Sequence, residues 1–500
     1  MRGYLPIRLV VRVLGSAVLL GILGDWLVRA DRLGLNFFLG IVALVVVAAT
    51  LVWWEHPAAP VQVLHLLFLP PIFAFGVVWR DAPMLSAWNV LAVAATLVFP
   101  IMRMGGVRLP LGRLLDYAVG LMTMGLRMAV GPLHFASREV PWGEMFNRLH
   151  HRRSAAVALG LLLTAPLLVV FGALLVSADA GFERAVRTVF DLDFGKLVSH
   201  FVGTVFVGWI SAGYLIAVLV RGRDLAMPWE HGDRPALGTA ELGIPLGGLA
   251  LLFSVFVVMQ GEYVFGGHDL IRKAADFGYA AYARRGFFEL VTVAVLVLPV
   301  LLAADWVSDA TNATTRGTVR VFSGGLLLLV GLIMVSALHR MSLYLDAYGL
   351  TQSRLYATGV LLWAGVAIVW FAVTVLRGRA DRFAFGAMVV ALAILGMLNV
   401  INLDGVVVRT NVARAQEWAE LDTGYLASLS ADGVPSLALV LPRLPDEAAC
   451  VVLEVLELDE ESDERRDWRS WNVARARARE EAANLAAARV ARCGVGEAIP

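Results

Sequence analysis

Long apolar runs separated by short polar stretches fill the first four-fifths of the chain, and residues 38–54, 85–102, 155–177, 287–304, 321–338 and 355–376 are the clearest of them. A run of roughly 20 apolar residues matches a hydrocarbon core about 30 Å thick, so each predicts a membrane-spanning helix. Barrel strands would instead alternate polar and apolar positions over only about 10 residues. Windows of about 19 residues place spans near 9–28, 35–54, 61–79, 84–102, 155–177, 198–220, 243–265, 286–304, 320–338, 355–376 and 383–402, about eleven in all. The stretch 111–130 is apolar but interrupted by Arg113, Asp116 and Arg127. Those charges predict a helix lying along the headgroups, not a span. Pro70, Pro71, Pro166 and Pro245 fall inside runs and predict kinks, which neighbouring helices tolerate. The first run is longer than a signal-peptide core, holds Arg12 and Asp25 and lacks a small-residue cleavage pattern, so it is expected to remain as the first span.

After Asn402 the pattern changes. Helical spacing recurs over 406–420, 425–429, 435–441, 448–458 and 467–490, with turn signals at Asp432-Gly433, Pro442 and Pro445. Asp422 and Asp467 are expected as N-caps. The predicted fold is all-α: a polytopic transmembrane bundle over 1–403, followed by a small acidic helical soluble domain over 404–500.

Composition agrees with this division. The chain is 59% hydrophobic and 17% charged, against roughly 45–50% and about 25% in soluble domains. A net charge of +1 conceals an asymmetry, since residues 404–500 carry 11 arginines against 18 acids, a net −7 that leaves +8 on the remainder. A basic membrane body suits anionic lipid. Only Lys196 and Lys273 among 42 basic residues are lysines, so the arginines reflect overall composition and no nucleic-acid partner is expected. Cys450 and Cys493 show no CxxC spacing and are expected as ordinary unbridged residues. The arginine-rich segment 103–153 is expected to face the cytoplasm. Eleven spans then put the tail outside, a span at 111–130 reverses that parity, and the side of the tail stays open.

No P-loop, GxSxG, HExxH or strand-borne GxGxxG occurs, so no catalytic, cofactor-binding or metal-ligating residue is predicted. Candidate chemistry rests on ionisable groups at the membrane edge, where an unpaired charge costs about 2.5–3.5 kcal/mol on insertion scales. Three stretches hold them: MQGEYVFGG at 259–267, YARRGFFEL at 282–290 and LHRMSLYLDAYGLTQSR at 338–354. Parity places the three on one face, which makes Glu262, Tyr263, Arg284, Arg285, Glu289, His339, Arg340, Tyr344 and Asp346 a candidate functional cluster. Glu289 with Arg340 is its leading pair because both lie at span ends. The competing reading is span-end anchoring, a common use of Tyr and Arg.

YVFGG, YARRGFFEL, HRMSLYLDAYGLT, NVINLDGVVVRTNVAR at 399–414 and DWRSWNVARARA at 467–478 together resemble a bacterial polytopic membrane family defined only as a domain of unknown function, DUF4173, with DUF4153 as a close relative. The resemblance spans Gly261 to about Arg479. It implies a multi-pass protein of the bacterial inner membrane with a helical C-terminal extension, and it brings no activity or cofactor. Three functional readings follow. A transporter-like protein accounts for the many spans and the charged edge. A membrane scaffold or signalling protein accounts for an acidic helical tail able to dock a protein partner. A membrane-embedded enzyme acting on a lipid-linked substrate is the third, with edge carboxylates as acid and base.

Overall fold

The computed structural model describes residues 6–56, 61–141, 164, 171, 175, 194–219, 236–265, 287–308, 311–417, 421–461 and 467–493. Among these, seventeen α-helices follow in order: α1 (Ile7–Val28), α2 (Leu35–Glu55), α3 (Val61–Leu67), α4 (Leu69–Trp79), α5 (Pro83–Met104), α6 (Leu114–His134), α7 (Phe194–Leu219), α8 (Thr239–Phe265), α9 (Phe287–Val307), α10 (Ala313–Tyr348), α11 (Gln352–Thr374), α12 (Phe383–Val400), α13 (Leu403–Glu417), α14 (Thr423–Ala427), α15 (Val434–Val440), α16 (Asp446–Glu461) and α17 (Val473–Cys493). The only β pairing among them is one isolated bridge, Leu237 with Ser308. The protein is all-α, as its continuous apolar runs predicted.

Eleven helical segments of the described residues are long and apolar enough to cross a membrane. Large apolar side chains cover their outer surfaces, among them Leu19, Met122, Val258 and Val321, each more than 60% exposed. So much exposed apolar surface requires lipid, not water, around it. Two expectations change. The segment Leu114–Glu139 is one of the eleven and packs lengthwise on α7 and α5, with the Trp209 indole N–H donating to the Ala129 carbonyl at 2.9 Å. It is therefore not a headgroup helix. Two of its charges lie at its start: Asp116 caps its first turn, accepting from the Arg113 backbone N–H at 2.7 Å. The expected span 155–177 lies, apart from residues 164, 171 and 175, outside the described residues.

Pro70 and Pro71 do interrupt their run, because proline lacks the N–H that continues a helix. The run breaks at Phe68 into α3 and α4, with both prolines in the first turn of α4. Pro245 is accommodated inside α8 without a break.

Packing divides the bundle into two lobes. One core joins residues of α1–α7, and the other joins α8–α11. Helix α12 serves both, with Leu395 and Leu398 in the first core and Phe383 and Ala387 in the second. Helix α1 crosses α7 closely: a Cβ added at Gly21 would lie 2.5 Å from the Thr204 carbonyl oxygen and one at Gly208 would lie 3.0 Å from that of Ala17. Only small residues permit such an approach between membrane helices.

Contacts also sort the helix ends onto two faces. Arg12 pairs with Glu55, the His56 ring nitrogen bonds the Leu219 carbonyl, and Thr239 bonds Thr315. The turn at Leu109–Leu111 packs against Ala380–Arg382 on that same side. The N-terminal end of α1 belongs to this face. The ends of α1, α4, α10 and α12 and the starts of α2, α5 and α11 reach the opposite face, where α13–α17 sit.

Helices α13–α17 enclose a core of Val407, Val408, Val412, Leu426, Leu437, Val440, Leu441, Leu444, Ala449, Val452 and Leu453. Asp422 is an N-cap as expected, accepting from the Tyr425 N–H. Asp467 caps only the short turn Trp468–Ser470, while Asn472 accepts from the Arg475 N–H at the start of α17. The two cysteines are bridged, contrary to expectation: Cys450 on α16 and Cys493 on α17 form a disulfide with Cα atoms 5.7 Å apart. Two adjacent helices bring together thiols 43 positions apart, a proximity that no local spacing encodes.

Candidate functional site

The polar groups that the fold gathers most densely lie where the tail meets the bundle. Helices α4 and α5 are linked by Arg80, Asp81 and Ala82. Pro83 begins α5 and forces the preceding residue out of helical geometry, so the chain turns sharply and leaves Arg80 and Asp81 at the turn. The Arg80 guanidinium makes three contacts. Its Nε donates to the Asn399 carbonyl at 2.8 Å, one terminal nitrogen to the Val400 carbonyl at 2.7 Å and the other to Asp432 Oδ1 at 3.0 Å. The last carbonyls of α12 have no donor within their own helix, and a cation there also answers the negative end of the helix dipole.

Asp432 performs the converse service. Its Oδ2 accepts from the backbone N–H groups of Asp81 at 2.7 Å and Ala82 at 3.2 Å, at the start of α5. Its own carbonyl accepts from the Asn402 side-chain amide at 2.7 Å. The Arg80 and Asp432 side chains are 9% and 4% exposed, so the pair is withdrawn from water.

A second set comes from α17. Arg475 pairs with Asp81 at 2.6 Å and also donates to the Leu33 carbonyl at 3.0 Å. Asn472 donates to the carbonyls of Val77 and Arg80 at 2.8 and 2.9 Å, closing the end of α4. The tail approaches the α1–α2 turn so closely that a Cβ at Gly34 would lie 2.5 Å from the Trp471 carbonyl oxygen. Below the junction, Asn89 on α5 and Asn399 on α12 exchange amide hydrogen bonds of 2.8 and 2.9 Å.

Asp404, the second residue of α13, is fully buried. It accepts from the Ser430 N–H at 3.0 Å, the Ser430 hydroxyl at 2.6 Å and the Gln352 side chain at 2.5 Å. Among the described residues it forms no ion pair. Burial pushes its carboxyl above the ordinary value, against the Ser430 and Gln352 hydrogen bonds that favour the ionised form. Asp81 is also raised by burial, with Arg475 opposing.

These shifts set a sign. An acid whose pKa is higher in the docked state holds its proton there more strongly, so docking is strongest below the ordinary value of 3.8 and weakens as pH rises through the elevated value, then levels off. Asp404→Asn keeps an acceptor and removes the titration. The melting temperature of tail docking should fall with rising pH across that window in the wild type and fall less steeply in Asp404→Asn, Asp81 supplying the remainder. An unchanged slope in the variant would exclude Asp404 as the titrating group.

The described members of the sequence-derived cluster lie on helix ends at the same membrane face. Glu289 is exposed in the first turn of α9, His339 is exposed and Arg340 half-buried toward the end of α10. Glu262 and Tyr263 fall in the last turn of α8, and Tyr344 and Asp346 in the last turns of α10, with side chains outside the described residues. Arg284 and Arg285 also lie outside them. The structure thus brings the helix ends to one face, and a joint site of these side chains stays a proposal.

Sequence reasoning missed Arg80, Asp81, Asp404, Asp432, Asn472 and Arg475. Two signals were present: two opposite charges in a three-residue link between spans, and the asparagines and aspartate of NVINLDG immediately after the last apolar run. A family model described as a domain of unknown function, DUF4153, matches residues 66–440. The chain belongs to the DUF4153 family. The matching family is thus the one expected as the close relative, not DUF4173, and its reach extends well ahead of Gly261. The DUF4153 match includes Arg80, Asp81, Asp404 and Asp432 and stops before Asn472 and Arg475. No curated protein and no solved structure matches the chain.

Proposed function

We propose that this DUF4153 protein is a membrane scaffold of the bacterial inner membrane, a multi-pass bundle that holds its helical tail rigidly at one face to receive a protein partner. The buried ion pair between Arg80 and Asp432 carries the reading, since it fixes the tail to two helices at once. Several paired polar side chains at membrane depth support it over the transporter reading. Asn89 and Asn399 satisfy each other, and Thr96, Ser254 and Thr374 bond carbonyls of their own helices. A packed bundle of this kind favours a fixed platform, whereas a hydrated path would leave such groups facing a cavity.

Leu439 on α15 is 73% exposed, an apolar side chain on the outside of the tail. A photocrosslinking residue at Leu439 should give a discrete protein adduct in cells, and that adduct should disappear when Arg80→Ala releases the tail from a bundle still inserted in the membrane. Absence of any adduct, or one indifferent to release, rejects the scaffold.

A further inference from the structure

A separate constellation lies between α1 and α7 at the edge of the tail face. Asp25 has a side chain only 8% exposed, and its two oxygens are divided between an imidazole and a guanidinium. Oδ2 lies 2.6 Å from His200 Nδ1, and Oδ1 accepts from Arg29 Nε at 3.0 Å. A terminal nitrogen of Arg29 donates to the Ser199 hydroxyl at 3.0 Å. Helix α7 is shaped around the carboxylate, for a Cβ at residue 203 would lie 2.1 Å from Asp25 Oδ1 and glycine stands there. Trp26, the next residue, packs against Trp468 and beneath the Arg469 guanidinium, closing one side with the tail.

Anchoring alone does not call for this arrangement. An interfacial arginine that only snorkels extends toward the headgroups, whereas Arg29 is folded back onto a buried acid that also fixes a histidine. The His200 side chain is 51% exposed and that of Arg29 31%. Among the described residues, His200 Nε2 has no partner. Protonated, the imidazole presents Nε2–H beside the guanidinium, and one carboxylate under two cations leaves a net positive charge. Charge-assisted donors held in fixed positions recognise phosphate oxygens.

We propose that Asp25, Arg29, Ser199 and His200 form a binding site for a phosphate group, with Arg29 and His200 as donors and Asp25 as the residue that positions both. Its depth at a span end suits the phosphate of a lipid headgroup. Free phosphate offers the same chemistry, and the experiment separates the two.

The full chain is purified in maltoside detergent, which carries no phosphate, and treated with diethyl pyrocarbonate, which acylates imidazole. His200 modification is followed by peptide mass spectrometry, with His134, 60% exposed at the last residue of α6, as the internal reference for surface effects. Saturating phosphatidylglycerol should slow acylation of His200 relative to His134 by about tenfold, while diacylglycerol, which has acyl chains and no phosphate, should not. Protection by inorganic phosphate as well assigns the site to free phosphate. Protection by neither, or equal protection by diacylglycerol, overturns the proposal. Arg29→Gln should abolish the protection and Arg29→Lys should keep part of it, and full protection in Arg29→Gln would also overturn it. The wild-type comparison stands even where a variant fails to fold.

Discussion

Replacing Arg80 with alanine is expected to release the tail from the bundle while the apolar helices remain inserted. The substitution leaves Asp432 buried without its cation and returns the Asn399 and Val400 carbonyls to an unsatisfied helix end. Breaking one side of a buried pair costs about 3–5 kcal/mol, and each 1.4 kcal/mol is tenfold in an equilibrium, so docking should weaken by roughly two to three and a half orders of magnitude. Arg80→Lys should fall between, because an ammonium cannot span three acceptors set in a guanidinium's plane. Hydrogen exchange across 473–493 is the direct measure. Amides of α17 protected in the wild type should exchange rapidly in Arg80→Ala, and wild-type protection there would show that the pair does not hold the tail.

The fold was legible because hydrophobic length is a strong and local signal. Runs such as 35–54 and 383–402 state both the element and its solvent, and the tail declares itself by losing those runs. Residues 111–130 misled for a physical reason: a window counts charges without knowing that Asp116 sits at a helix start and Arg127 farther along a face shared with other helices. The candidate site was less legible. Arg80 and Asp432 are separated by 352 positions, and each looks ordinary alone, one an arginine at a span end and the other an aspartate in a turn. Only packing makes them a buried pair. Shared sidedness, in contrast, could be read from parity, yet it chose the helix ends near 262, 289 and 340 and gave no means of ranking them against the link at 80–82. The disulfide failed for the same reason as the ion pair, since thiols on two helices meet by tertiary contact.

The disulfide has a consequence for topology. Cys450 and Cys493 close a loop of 43 positions, worth about 4 kcal/mol in the chain-entropy account, and such bridges persist in oxidising compartments and not in a reducing cytosol. Contacts put the start of α1 and the tail on opposite faces, independently of any count of spans. Helix α6 divides the segment 103–153: Arg103, Arg108 and Arg113 stay on the N-terminal face with Arg377, Arg379 and Arg382, whereas Arg138 lies in the turn Phe135–Glu139 beyond the end of α6. Those six, with Arg8, predict a cytoplasmic N-terminal face, and on that prediction the tail lies on the oxidising side. In intact spheroplasts a membrane-impermeant maleimide should label neither cysteine before reduction and both after an impermeant reductant. Cys450→Ser should leave Cys493 labelled without reduction and lower the stability of the tail core by an amount near the loop estimate. Labelling that requires permeabilised membranes, with or without reductant, would place the tail in the cytoplasm and reverse the orientation of every helix.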